Sequence, residues 1–295
     1  MSLSLNQVGT RGSGLIRPEG VMALDDGSLY TADARGRCAR VDPDGRTIFF
    51  GSLGGLPNGI CIDAEGNCIV ANIGNGEVQS LSPAGSHTVL MTEAHGKRMM
   101  TPNFPFVDFA GRLWVSNSTD NHDIDASLQS PSPDGCLVVI EQGMPPRIVA
   151  DGIYFANGVA LDAREEYVYV AETMQRRVLR YRINKDSSVG GAEIYGPETL
   201  GRLGFPDGIA FDEAGNLWVT FPAANAVGFI DPQGRLDMYI QDPQGSVINR
   251  PANICFGGKD RRTAFIGSLG GTNIPCFEVP HPGMRLVHQK SSREA

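Results

Sequence analysis

The chain has 295 residues, including 37 glycines and 19 prolines, with 41% hydrophobic residues and a net charge of −8. That is a turn-rich globular composition, long enough to bury a substantial core, and it excludes a low-complexity or fibrous chain. The acidity argues against nucleic acid and anionic membrane surfaces as partners, because both favour basic patches.

The chain opens MSLSLNQVGTRGSG. This stretch lacks a basic segment followed by an apolar one, so it does not read as a secretory signal. No run reaches the roughly 20 apolar residues of a membrane span. The six cysteines are scattered without a CxxC pair, which points to reduced thiols and a cytoplasmic setting. Cys61 and Cys68 flank one hairpin and read as two small buried residues rather than a disulfide.

Residues 17–30 read RPEGVMALDDGSLY, and the same pattern returns along the chain. PNGICIDAEGNCIV starts at Pro57, PNFPFVDFAGRLWV at Pro102, ANGVALDAREEYVYV at Ala156 and PDGIAFDEAGNLWV at Pro206. A degenerate copy, PANICFGGKDRRTAFI, starts at Pro251. Counted with Pro18, the six starts lie 39 to 54 residues apart, a period typical of solenoids and propellers. In four copies a glycine stands eight residues after the polar position: Gly27, Gly66, Gly111 and Gly215. Glycine supplies the positive φ of a tight hairpin. Glu165 and Asp260 take that slot in the fourth and sixth copies.

Each unit reads as four short strands. In the first they are VMAL, LYTAD, RCARVD and TIFF, and in the fifth IAF, LWVTF, AVGFID and LDMYI. Six such units predict an all-β chain, one six-bladed β-propeller over residues 1–295 with blades starting near 18, 57, 102, 156, 206 and 251. The opening SLSLNQVG is expected to add a strand to the last blade and latch the ring.

In a propeller the first strand of each blade lines the central channel, so the residue before it lies at one rim. Those residues are Glu19, Asn58, Asn103, Asn157, Asp207 and Ala252, with Asn253 one place on. Five carry a side-chain oxygen and two are acids. Such a ring suits a hard divalent cation, which takes six to eight oxygens, better than zinc, which prefers His or Cys. The second strands end at Asp33, Asn72, Asn117, Glu172 and Phe221, which predicts a second polar ring above the first. The longest insertion, residues 116–135, should overhang the same mouth and offers Asp120, Asn121, His122 and Asp123 to a ligand.

The PEG, ANGVALD and PDGIAFDEAGNLWV motifs resemble the senescence marker protein (regucalcin), gluconolactonase and luciferin-regenerating enzyme family, from about Arg17 to Gly271. Diisopropylfluorophosphatase-like enzymes are similar propellers. The resemblance implies one divalent cation, calcium first and manganese, zinc, magnesium or iron as alternatives, bound by Glu19, Asn103, Asn157 and Asp207. It implies hydrolysis of a small-molecule lactone, with the cation polarising the carbonyl and Asp207, aided by Glu19, as base or nucleophile. Asn58, Thr101, Asn117, Asp120 and His122 are the candidate substrate contacts. Where the animal sugar-lactone members carry Arg and Asp, this chain has Thr101 and Phe104, amid Met99, Met100 and Phe106. If these apolar residues reach the mouth, the substrate is more hydrophobic than a sugar lactone; otherwise they pack the core. Alternative readings are a non-catalytic calcium- or ligand-binding propeller, a protein-interaction propeller, and an organophosphate hydrolase on the same cation. The expected state is a monomer or small homo-oligomer.

Overall fold

The computed structural model describes residues 3–289. It is a six-bladed β-propeller of six four-stranded antiparallel sheets. Blade one holds Val21–Ala23, Leu29–Asp33, Arg37–Val41 and Thr47–Phe50. Blades two to five begin with Pro57–Ile62, Pro102–Val107, Ala156–Leu161 and Ile209–Phe211. Blade six begins with Pro251–Gly257 and continues with Thr263–Ser268 and Ile274–Glu278. Each first strand packs against the first strand of the next blade, round the whole ring.

The repeated aspartate–glycine spacing explains the inner hairpins. Asp63, Asp108, Asp162 and Asp212 each accept backbone N–H groups from the turn that follows. The glycine positions Gly27, Gly66, Gly111 and Gly215 have φ near +80°. Glu165 adopts the same left-handed backbone at φ 53°. In the last blade Arg261, not Asp260, carries the positive φ, because the first strand, Pro251–Gly257, is one residue longer than those of blades two and three and displaces a turn of unchanged length. In blades three and five the turn aspartate also accepts the indole N–H of a buried tryptophan, Trp114 at 2.8 Å and Trp218 at 2.9 Å.

A second glycine, just after the rim residue, closes the ring. Gly20 donates its N–H to the Asn58 carbonyl, Gly158 to that of Asp207 and Gly208 to that of Ala252, at 2.8–3.0 Å. A Cβ on Gly158 would lie 2.4 Å from the Asp207 oxygen, and one on Gly208 2.6 Å from the Ala252 oxygen. Only glycine lets neighbouring inner strands come this close.

The latch differs in place from the one expected. Leu5–Gln7 forms a short 3-10 turn, and the strand is Gly9–Arg11, paired with Ile274–Cys276 as the outer strand of blade six. Of the predicted segment only Gly9 lies in it. At the far end of the channel, residues 282–289 cross beneath the ring. Met284 N–H donates to the Phe211 carbonyl, Gln289 to that of Phe256, and the His288 ring meets that of Ala23 at 3.0 Å. The tail therefore straps blades five, six and one together.

Cys61 faces Ile69 and Cys68 faces Ile62 across their hairpin, so the two thiols project from opposite faces of the sheet. All six cysteines are free, and five are buried. Burial pushes the Cys136 and Cys255 thiols up to about 12. A thiol reagent is therefore expected to label one cysteine, the half-buried Cys276, in the folded protein and six after denaturation. Rapid labelling of several thiols under native conditions would contradict this packing.

Candidate active site at the channel mouth

The first strands deliver their rim residues to a mouth pocket of about 1000 Å³. Glu19, Asn58, Asn103, Asn157 and Asp207 all line it. All five are at least 94% buried, Asn103 and Asp207 being the most exposed at 6%. The sixth position is Ala252, and Asn253 is fully buried without lining the mouth.

The hydrogen bonding leaves oxygens free. Asn58 donates its amide to the Asn103 side-chain oxygen at 3.1 Å and to the Asn103 carbonyl at 3.3 Å. Asn157 donates to the Thr173 hydroxyl at 3.3 Å, which in turn donates to the Pro206 carbonyl at 2.8 Å. With their N–H groups committed, Asn58 Oδ1 and Asn157 Oδ1 remain without partners, as does Asp207 Oδ1. Glu19 Oε2 meets the Arg17 guanidinium at 2.5 Å. Buried polar atoms are seldom left unpaired, and each such atom calls for an explanation.

The carboxyls report the same environment. Burial raises the Glu19 pKa, against the pull of Arg17. Burial raises that of Asp207 well above the usual range, and the negative charge of Glu19 adds to it. Two acids forced together away from water are costly unless a cation joins them. Among the described residues no group of three His, Cys, Asp or Glu could hold a metal. The donors here are instead two carboxylates and three asparagine oxygens, which fit a hard cation.

The predicted second ring is not part of the mouth. Asp33 accepts the Ile16 N–H, Asn72 that of Leu56, Asn117 that of Thr101 and Glu172 that of Tyr154, each at 2.9 Å. These side chains pin the segments that lead into the first strands, and none lines the pocket. Asn117 is fully buried, its amide spent on the Thr119 carbonyl. Thr101 is buried too, exchanging hydrogen bonds with Thr119. Asp120 pairs with Lys97 at 2.5 Å outside the pocket. Asn117, Thr101 and Asp120 are thus not among the residues that line the mouth pocket.

His122 does line the mouth, on the insertion that overhangs it. That insertion folds into the helix Ile124–Gln129, capped by Asp123, whose carboxylate accepts the Ala126 N–H. Met99 and Phe104 pack in the core and Phe106 against it, so the apolar residues flagged around Asn103 do not form the wall. The wall comes from residues two places before the rim positions: Arg17, Leu56, Phe155, Phe205 and Arg250. Between them stand Ile73, Met174 and Leu269, just past the second strands. The repeat register contained this layer, because each residue holds an equivalent slot.

Fold and mouth together define a six-bladed propeller with an oxygen-lined site at one end of its channel. The chain belongs to the SMP-30/gluconolactonase/LRE-like family, whose model matches residues 18–270. It is 30% identical over 224 residues to strictosidine synthase-like protein 6 of Arabidopsis thaliana, covering 72% of this chain and 58% of that protein. It is 27% identical over 162 residues to a 6-deoxy-6-sulfogluconolactonase of Pseudomonas putida, covering 55% and 52%. The chain thus spans about half the length of these curated relatives. Among solved structures, a gluconolactonase of Xanthomonas campestris superposes with a TM-score of 0.76 at 21% identity, covering 92% of this chain and 89% of that one. That likeness shows the fold.

Proposed function

We propose that the protein is a divalent-cation-dependent hydrolase that opens lactones at the channel mouth. The observation that carries this reading is the convergence of two buried carboxylates with buried amide oxygens that lack partners. Relatives named as lactonases support the substrate class. Glu19, Asn103, Asn157 and Asp207 would hold the cation, with Asn58 beside them. When bound, it would polarise the lactone carbonyl and offset charge developing on that oxygen. The all-oxygen donor set favours calcium, manganese or magnesium.

Through the Oδ1 that no hydrogen bond occupies, Asp207 takes a proton from the attacking water and returns it to the ring oxygen as the acyl C–O bond breaks; in direct attack the same oxygen forms an anhydride that water then cleaves. Burial alone favours its protonated form, so it serves as a base only with positive charge beside it. Arg17 holds Glu19 in place through their ion pair, and Thr173 turns the Asn157 amide so that its oxygen stays free.

The test is acid release at constant pH from a panel of lactones, after stripping with chelator and adding back single cations. Turnover that appears only with metal supports the reading; tight metal binding without turnover on any member supports a binding propeller instead. The cation should also stabilise the fold by linkage, by about 2.7 kcal/mol at a hundredfold excess over Kd. A melting temperature that ignores chelator and calcium would remove the cation from the account.

A further inference from the structure

The layer above the oxygen ring is not built for a sugar. A sugar lactone presents several hydroxyls, and a site that selects it must pair them. Here the polar side chains that end the second strands are spent on backbone, as shown for Asp33, Asn72, Asn117 and Glu172. What faces the ligand on blades two, four and five is Leu56, Phe155 and Phe205. The overhanging helix adds Ile124 and Leu128, one turn apart on its pocket side, with Leu128 38% exposed.

Charge is distributed unevenly round this layer. Blades six and one are neighbours, joined by the Ser268 N–H donating to the Pro18 carbonyl. They contribute Arg250 and Arg17. Both have left-handed backbone, at φ 47° and 51°, immediately before a proline. Among the described residues the exposed Arg250 guanidinium makes no close ion pair, although its charge pulls on the Glu19 and Asp207 carboxyls, and the buried Nη1 of Arg17 has no hydrogen-bond partner. Blade three, opposite blade six in a six-membered ring, overhangs the mouth with Asp123 and Asp125. An anionic group is thus repelled from one side and met on the other by the exposed Arg250 guanidinium and the unpaired Nη1 of Arg17.

We propose that the preferred substrate is an amphipathic lactone acid. Its carbonyl sits over the oxygen ring, its apolar body against Phe155, Phe205 and the Ile124–Leu128 face, and its carboxylate on Arg250. This rests on the lactonase reading and narrows it. A pocket of about 1000 Å³ is at the upper end of small-molecule sites, with room for such a body.

The experiment is a set of kcat/KM measurements on gluconolactone, on γ- and δ-lactones with lengthening alkyl chains, and on the same chains ending in a carboxylate or its methyl ester. The expected gain is about fourfold per methylene buried, and a further preference of about tenfold for the acid over its methyl ester. In Arg250→Gln that acid-to-ester ratio should fall by about tenfold, and in Phe205→Ala the gain per methylene should flatten. Gluconolactone as the best substrate, or an acid-to-ester ratio that ignores Arg250, overturns this proposal while leaving the hydrolase reading intact. Hydrolysis of none of the lactones overturns both.

Discussion

Asp207→Asn is expected to lower lactone turnover by about a thousandfold, the scale of a lost general base at a charged site. The same change should make the metal-free protein more stable. The folded-state pKa of Asp207 lies above its unfolded value because the group is buried beside Glu19. The folded chain therefore holds that proton more tightly than the unfolded one. Its favourable contribution is present below the ordinary carboxylate range and is lost as pH rises through the raised value. Above that window the ionised pair strains the metal-free fold, and an uncharged amide relieves it. In excess chelator Asp207→Asn should thus melt a few degrees above the native sequence, and it should respond weakly to added calcium. Full turnover in the variant would take Asp207 out of the chemistry. A lower melting temperature in chelator, with an undiminished calcium response, would take it out of the cation site.

The second large effect concerns the closure of the ring. Gly158→Ala places a methyl group 2.4 Å from the Asp207 carbonyl oxygen and 2.8 Å from the Ile209 nitrogen. Both neighbours are backbone, so no side chain can swing aside. The blades must separate locally, at a cost of about 3 kcal/mol. They must also break the hydrogen bond from Gly158 to Asp207, which moves the carboxylate. Loss of stability and loss of metal affinity should therefore appear together. Gly66→Ala makes a useful contrast: its Cβ meets nothing within 4 Å, and only the positive φ of 84° is penalised. It should cost about 1 kcal/mol and leave metal affinity alone. Equal effects of the two changes on affinity would show that the inner glycines do not position the site.

The repeat made most of the fold legible. A polar residue followed eight places later by glycine marks a rim and a hairpin in four copies, and the wider motif, repeated six times, implies a closed ring. The same register gave the oxygen ring, because equivalent residues in a propeller meet at one axis. It misled for Asp33, Asn72, Asn117 and Glu172, which also occupy equivalent positions. Periodicity says where a side chain stands, but not whether a backbone N–H has already claimed it. Thr173 went unnoticed for a related reason: its hydroxyl matters through Asn157 and Pro206, which are distant in sequence. The sixth turn falls one place late because its first strand, Pro251–Gly257, carries an extra residue, which a fixed spacing counted from the proline cannot follow. Phe104 shows the limit for apolar residues. It lies next to Asn103, yet its ring goes to the core between blades three and four.

Within each blade the strand approach divides its labour by position. On every blade but the third the residue two places before the rim lines the pocket, on blades one to five the rim residue supplies it with an oxygen, and on blades one, two, four and five the glycine after it seals the joint with the next blade. Appetite for substrate and capacity for chemistry are thus written in different letters of the same short word. Leu56, Phe155 and Phe205 can be exchanged without removing a partner from an oxygen donor, whereas Arg17 is tied to Glu19 by an ion pair. On the lactonase reading, a lineage built on this scaffold could change the lining one blade at a time while the oxygen ring stays constant.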